Sequence, residues 1–112
     1  MTVGELTAAL SGLSALVVGD ICLDRWCTYS PAASEPSRET GIPRIGVLAT
    51  EATPGGGGTV ACNLAALGVG RVSVLGISGD DGHGFELLRA LRTRGVGTDL
   101  MVTGAPVPTF TY

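Results

Sequence analysis

The stretch from Pro54 to Gly68, PGGGGTVACNLAALG, places four consecutive glycines directly before a segment with helical patterning. Val60, Leu64 and Leu67 recur at helical spacing with Ala61 and Ala65 beside them, which gives one apolar, closely packable face. A helix is therefore expected to start near Gly58. Backbone without a Cβ precedes it, and the first N–H groups of a helix have no partner within it, so a bound molecule could lie against them. Glycines alone fit a linker or a tight strand-to-helix turn equally well.

The segments on either side of this stretch decide what it belongs to. On the C-terminal side, Arg71 to Ile77 (RVSVLGI) is expected to be a buried strand, which completes a strand–helix–strand unit. Gly79-Asp-Asp-Gly-His-Gly84 follows as a turn, with Asp80 or Asp81 placed to cap a helix over 85–94. That Asp-Asp-Gly lacks the further alternating ligands and distal Glu of a calcium loop, and His83 has no Cys or Ser neighbour to make it a catalytic base. Gly95 to Asp99 ends the helix, Leu100 to Val102 gives a short strand, and Pro106 to Tyr112 begins another that the chain does not complete.

On the N-terminal side, Thr2 to Ser11 suits a short lead-in helix, and Leu13 to Gly19 (LSALVVG) a strand buried on both faces of a parallel sheet. Asp20 and Asp24 then fall at the carboxyl end of that strand, where ligands bind in open α/β sheets. Carboxylates accept hydrogen bonds from hydroxyls, and a sugar or polyol offers several. The same pair could instead cap a turn (Asp20) and meet Arg25 (Asp24). Arg25 to Ser30 and Ile42 to Thr50 are strand-like, are joined by the polar segment Pro31 to Gly41, and lie outside the alternation of strand and helix. They predict a small antiparallel flap, and a flap beside a ligand crevice commonly acts as a lid.

Composition narrows the function classes. The 112 residues suffice for one modest domain, 45% are apolar and 18 are glycine, in keeping with an α/β protein. The net charge of −3 and the dispersed arginines argue against a nucleic-acid partner. No apolar run is long enough to span a bilayer, and the start MTVGELTAAL has no basic n-region, so a cytoplasmic location is expected. Cys22, Cys27 and Cys62 lack metal-knuckle spacing and are expected to be reduced thiols packed as small apolar groups. A dinucleotide fingerprint would need GxGxxG where the chain has Gly19-Asp-Ile-Cys22, and a Walker loop needs a lysine, of which there is none. What survives is a polar-ligand crevice formed by Asp20, Asp24 and the backbone around Gly55 to Gly58.

Four pieces in this order and spacing, LVVGDICLDRW, SRETGIPRIGV, PGGGGTVACNLAALG and SGDDGHGFELLRALRTRGVGTD, resemble the N-terminal part of the ribokinase-like (PfkB) carbohydrate kinases. Within them the chain is most similar to the heptose-phosphate kinase domain of bifunctional heptose kinase/adenylyltransferases. The resemblance implies that residues 1–112 are the N-terminal part of one kinase domain of mainly parallel α/β architecture, with lid strands inserted at about 25–50. It implies sugar contacts from Asp24 and, through backbone N–H groups, from Gly55 and Gly56. It also implies ATP and Mg2+ as cofactors, bound outside this chain, and a homodimer paired through the lid. Thr59 stands where the family usually has Asn, keeping a hydroxyl but losing the amide, and Asn63 matches an Asn of the heptose-kinase branch. The family's Gly-Ala-Gly-Asp motif, source of the catalytic base, does not occur in the sequence. Asp20 and Asp24 are therefore candidates for binding rather than for base catalysis, and Arg38 in the flap is the candidate partner for a substrate phosphate. A non-catalytic sugar-binding or dimerisation module is the competing expectation.

Overall fold

The computed structural model describes residues 1–104 and 106–112. Helix α1 (Val3–Leu10) opens on a reciprocal cap in which the Thr2 hydroxyl accepts from the Glu5 N–H and the Glu5 carboxylate accepts from the Thr2 N–H. Strand β1 (Ser14–Val18) follows, then a turn at Gly19 and the long strand β2 (Ile21–Tyr29). A short 3-10 turn (Pro31–Ala33) and two-residue strands β3 (Glu35–Pro36) and β4 (Pro43–Arg44) form the flap tip, where Arg44 pairs with Glu35. The chain returns as β5 (Val47–Gly56), enters helix α2 (Gly57–Ala66) without an intervening loop, and continues through β6 (Arg71–Leu75), β7 (Ile77–Gly79), helix α3 (Gly82–Thr93), β8 (Val96–Gly97) and β9 (Val102–Gly104).

Strands β1, β6 and β8 make a parallel sheet in the order β1-β6-β8, linked by helical crossovers. The core lies between this sheet, the base of β2 and helices α2 and α3, where Ile21, Leu23, Ala61, Val72, Val74, Leu87, Leu91 and Val96 pack together. Burial of β1 on both faces is not observed: Leu16 is 50% exposed and Val18 65%. Val17 packs towards the core, whereas no described element covers the opposite face of β1.

The expected antiparallel flap is present but longer than its sequence signals. Strands β2 and β5 pair from Ile21↔Gly56 to Tyr29↔Val47, with a bulge that leaves Leu48 unpaired. Its boundaries are 21–29 and 47–56 rather than 25–30 and 42–50, because Ile-Cys-Leu after the Gly19 turn already belongs to the ladder. The base is buried at Ile21, Cys22, Leu23, Pro54 and Gly55, and everything from Arg25 to Tyr29 is exposed. A radius of gyration of 18.3 Å, against the roughly 13 Å of a compact domain of this length, reflects the projecting hairpin.

Two further corrections concern the C-terminal third. The segment 71–77 divides at Gly76 into β6 and β7, which join different sheets, and Val96–Gly97, expected to be only a helix stop, pairs with Val72 and Ser73. The last residues do form an extended segment, and it finds a partner within the chain. The Leu23 N–H donates to the Phe110 carbonyl at 2.9 Å and the Tyr112 N–H to the Leu23 carbonyl at 2.9 Å, a parallel bridge on the free edge of β2.

Candidate functional site

Strand alternation builds the site. In β2 the side chains of Cys22, Asp24 and Trp26 share one face, while Ile21 and Leu23 turn into the core. Opposite them Thr53 pairs with Asp24 and Gly55 with Cys22, and the Leu23↔Thr111 bridge puts Phe110 and Tyr112 on the same face from the other side. Asp24 is thus central in a three-stranded surface. It lies within β2, a strand of its own that begins three residues before it, rather than at the carboxyl end of β1 as expected.

Gly55 holds the decisive contact. A Cβ there would fall 2.6 Å from the Asp24 carboxyl carbon and both its oxygens, so the carboxylate lies flat against bare backbone. The glycine makes room for a protein carboxylate, a role beyond the expected approach of a ligand to its N–H. Gly56 has φ +58°, and its missing Cβ leaves space for the Asp20 carbonyl. That carbonyl accepts from the Gly57 N–H at 2.7 Å, so one of the helix-start donors expected to face a ligand is already occupied.

Around this contact the candidates divide. Asp20 and Asp24 flank Cys22: burial, then the Asp24 carboxylate, then that of Asp20 push its thiol above the ordinary value of 9.0, and Sγ points at Asp24 Oδ1 from 3.9 Å. Cys22 is therefore a protonated, buried thiol, and Cys62 is likewise raised, mainly by burial. Cys27, expected to be packed, is exposed on the flap. Among the described residues no arginine pairs with Asp24, which leaves its carboxylate to other partners. The Thr59 hydroxyl donates to the Pro54 carbonyl at 3.0 Å, tying α2 to the end of β5 beside Gly55. Asn63 is exposed one turn further along α2. Arg38 is not brought to Asp24: it lies at the flap tip with Glu35, Ser37, Glu39 and Arg44, beyond Tyr29 and so more than about 16 Å of strand from Asp24.

The profile of the pfkB family of carbohydrate kinases matches residues 14–112. The chain belongs to that family. It is 41% identical over 86 residues to the bifunctional protein HldE of Psychromonas ingrahamii, a match covering 77% of this chain and 17% of that protein. The pfkB chain therefore spans about one-sixth of the length of the curated relatives it matches. Among solved structures it is similar to fructokinase with bound ATP from Xylella fastidiosa (27% identity, TM-score 0.60, covering 86% of this chain and 27% of that one). A carbohydrate kinase from Agrobacterium tumefaciens shares the fold at 23% identity (TM-score 0.67, 88% and 30% covered). The ribokinase-like architecture expected from the sequence is the one observed.

Sequence reasoning passed over two features of this candidate site. Phe110 and Tyr112 line hollows beside Asp20, Cys22 and Asp24, though only their alternation with Thr109 and Thr111 hinted at a shared face. The second is what secures them. Asp81, the N-cap of α3, accepts from the Thr109 N–H (2.9 Å), the Thr109 hydroxyl (2.7 Å) and the Gly84 N–H (2.7 Å), and the Gly79 N–H donates to the same hydroxyl. These donors, the Thr109 pair foremost, lower the Asp81 pKa from 3.8 to about 2. A carboxyl depressed in the fold adds stability that is complete above its unfolded value and lost as pH falls from about 4 towards 2. Asp81→Asn, which keeps a capping oxygen, is expected to flatten the fall in stability across that window, measured by urea unfolding at stepped pH. An unchanged pH profile would remove Asp81 from that role.

Proposed function

We propose that this chain is the substrate-binding and lid portion of an ATP-dependent kinase acting on a sugar or sugar phosphate. The observation that carries the reading is the Asp24 carboxylate laid across Gly55 at the base of a projecting flap. A fixed, exposed-edge carboxylate accepts two hydroxyl hydrogen bonds in known geometry, and the flap supplies a cover that excludes water when it closes. Family membership supports phosphoryl transfer to a hydroxyl, and the ATP bound by the similar fructokinase supports the donor. A heptose substrate is supported by the sequence resemblance described above and by the similarity to bifunctional HldE proteins. Phosphoryl transfer consists largely of positioning and charge stabilisation, and the residues described here serve the acceptor: they bind and orient it.

ATP and Mg2+ are assigned to no residue of this chain. Among the described residues no three His, Cys, Asp or Glu side chains converge. For Thr59, with its hydroxyl on Pro54, and Asn63 the reading is a supporting edge to the sugar site along α2. Arg38 would meet a substrate phosphate only on closure of the flap. Among the described residues no helix is long and apolar enough to cross a membrane, and three free thiols suit the reducing cytoplasm. One observation favours a second role, pairing of two copies through the flap: Trp26, Tyr29, Ile42, Ile45, Val47 and Leu48 are each more than half exposed. A sugar-binding or dimerisation module without kinase activity would share that surface.

Calorimetric titration of D-glucose, D-mannose, D-fructose and a D-aldoheptose into the wild type and Asp24→Ala tests the reading. Loss of a carboxylate that accepts two hydroxyls is expected to weaken binding at least tenfold. Equal binding by both proteins would remove Asp24 from the site. A Gly-Ala-Gly-Asp sequence opening a helix downstream in the gene favours the kinase over the module.

A further inference from the structure

Asp81 makes more bonds than a helix cap requires. A cap needs one acceptor for the first N–H groups of its helix, and the Gly84 N–H finds it at Asp81 Oδ1 from 2.7 Å. The same oxygen also accepts from the Thr109 hydroxyl, Oδ2 accepts from the Thr109 N–H, and that hydroxyl accepts in turn from the Gly79 N–H. Thr109 is 28 residues from Asp81 in sequence and 30 from Gly79, and it is 6% exposed. Its surroundings close on it through bare backbone. A Cβ on Gly84 would collide with the Gly79 carbonyl and come within 2.9 Å of the Thr109 hydroxyl oxygen, and one on Gly79 would meet Asp81 Oδ2 at 2.5 Å and the Thr109 nitrogen at 2.7 Å. One side chain thus ties together the end of β7, the start of α3 and the segment that follows β9.

That segment then runs beside β2. The Leu23 N–H donates to the Phe110 carbonyl, the Tyr112 N–H to the Leu23 carbonyl and the Arg25 N–H to the Tyr112 carbonyl, at 2.9, 2.9 and 2.6 Å. These bonds bracket Asp24, whose other edge is occupied by Thr53 of β5. Backbone bonds are alike at every residue, so three of them do not choose a register by themselves. The choice needs a pinned side chain, and Thr109 is pinned one residue before the first bond. We propose that Asp81 and Thr109 are positioning residues for the Asp24 carboxylate: their contact fixes the segment 109–112, which holds β2 from the edge opposite β5. The inference rests on the sugar-site reading above and adds two residues that do not touch the sugar. A two-stranded ribbon twists more than a wider sheet and is marginally stable, so β2 paired with β5 alone would let the carboxylate wander over Gly55. Held on both edges, it stays.

Thr109→Val keeps the shape and removes the hydroxyl, which leaves the buried Gly79 N–H without its acceptor, whereas Thr109→Ser keeps the hydroxyl and removes a methyl. Asp81→Asn turns one accepting oxygen into a donor facing Thr109 and carries the same comparison should Thr109→Val not fold. Val96→Ala, in the core at β8, is the control for lost stability alone. D-Mannose and a D-aldoheptose are titrated calorimetrically into each variant where urea unfolding shows it folded, and amide hydrogen exchange is followed at Leu23 and Arg25. Thr109→Val and Asp81→Asn are expected to weaken sugar binding about tenfold and to speed exchange at both amides, while Thr109→Ser and Val96→Ala stay within about threefold of the wild type. Wild-type binding by folded Thr109→Val, or an equal loss in Val96→Ala, overturns the positioning and leaves the sugar site intact. If no sugar binds the wild type, the sugar reading falls and exchange alone decides. Protection at Leu23 and Arg25 that is lost in Thr109→Val and regained in Thr109→Ser upholds the positioning, and equal protection in all of them overturns it.

Discussion

Leu23→Ala is expected to destabilise the chain by about 2–5 kcal/mol, read from urea unfolding, the range for emptying a fully buried leucine site. Leu23 has no exposed surface and belongs to the core cluster with Leu87 and Leu91 of α3. Against a total stability of about 5–15 kcal/mol for a domain, that loss is a large fraction. The consequence extends past the core. The same residue donates to Phe110 and accepts from Tyr112 through its backbone, so β2 carries the core on one face and the candidate site on the other. A cavity beneath Leu23 lets the strand shift, and Asp24, one residue on, shifts with it. Leu23→Ala should therefore lower sugar affinity even under conditions where it remains folded. A loss under 1 kcal/mol would show that β2 is not seated in the core as described.

How far the sequence could reveal this follows from the range of the forces involved. Local patterns were legible: the Thr2 to Ser11 helix, the LVVG strand, a cap at Asp80 or Asp81 (Asp81 in the structure), and the glycine-to-helix junction each depend on neighbours within four or five residues. The flap was visible through the alternation of Arg25 to Ser30. Its true start was not, because Ile-Cys-Leu is equally apolar whether it prolongs β1 or opens a new ladder, and only the pairing with Gly55 and Gly56 decides. Exposure of Leu16 and Val18 depends on which elements cover β1, a tertiary fact that periodicity does not encode. Asp20 and Asp24 were identifiable as a pair by their chemistry. Phe110 and Tyr112 were not, since more than eighty residues separate them from the strand they join, and a two-residue strand such as Val96–Gly97 carries too little pattern to distinguish it from a turn.

The two adjacent glycines of the site should respond to the same substitution in opposite ways. In Gly55→Ala the new methyl would meet the Asp24 carboxylate at 2.6 Å. That carboxylate is the free end of a rotatable side chain, so it can swing away, and backbone geometry at Gly55 does not require glycine. Stability should change by less than about 1 kcal/mol, partly because alanine narrows the unfolded ensemble. Sugar binding should fall at least tenfold, since the carboxylate proposed to accept the hydroxyls would be displaced. In Gly56→Ala the methyl would meet the Asp20 carbonyl oxygen at 2.5 Å, in a residue with φ +58° and ψ −127°. Neither obstacle can rotate away. The backbone must distort, and the Asp20–Gly57 hydrogen bond that joins the turn before β2 to α2 is strained with it, for a cost of about 1–3 kcal/mol. Gly12→Ala, whose methyl would find its nearest neighbour at 3.6 Å, serves as the neutral control. Calorimetry and urea unfolding on the three variants separate the effects: a stable Gly55→Ala that binds sugar like the wild type would show that the position of the Asp24 carboxylate does not matter to the ligand. Equal stability of Gly55→Ala and Gly56→Ala would show that the junction between flap and helix is not held by the conformation of Gly56.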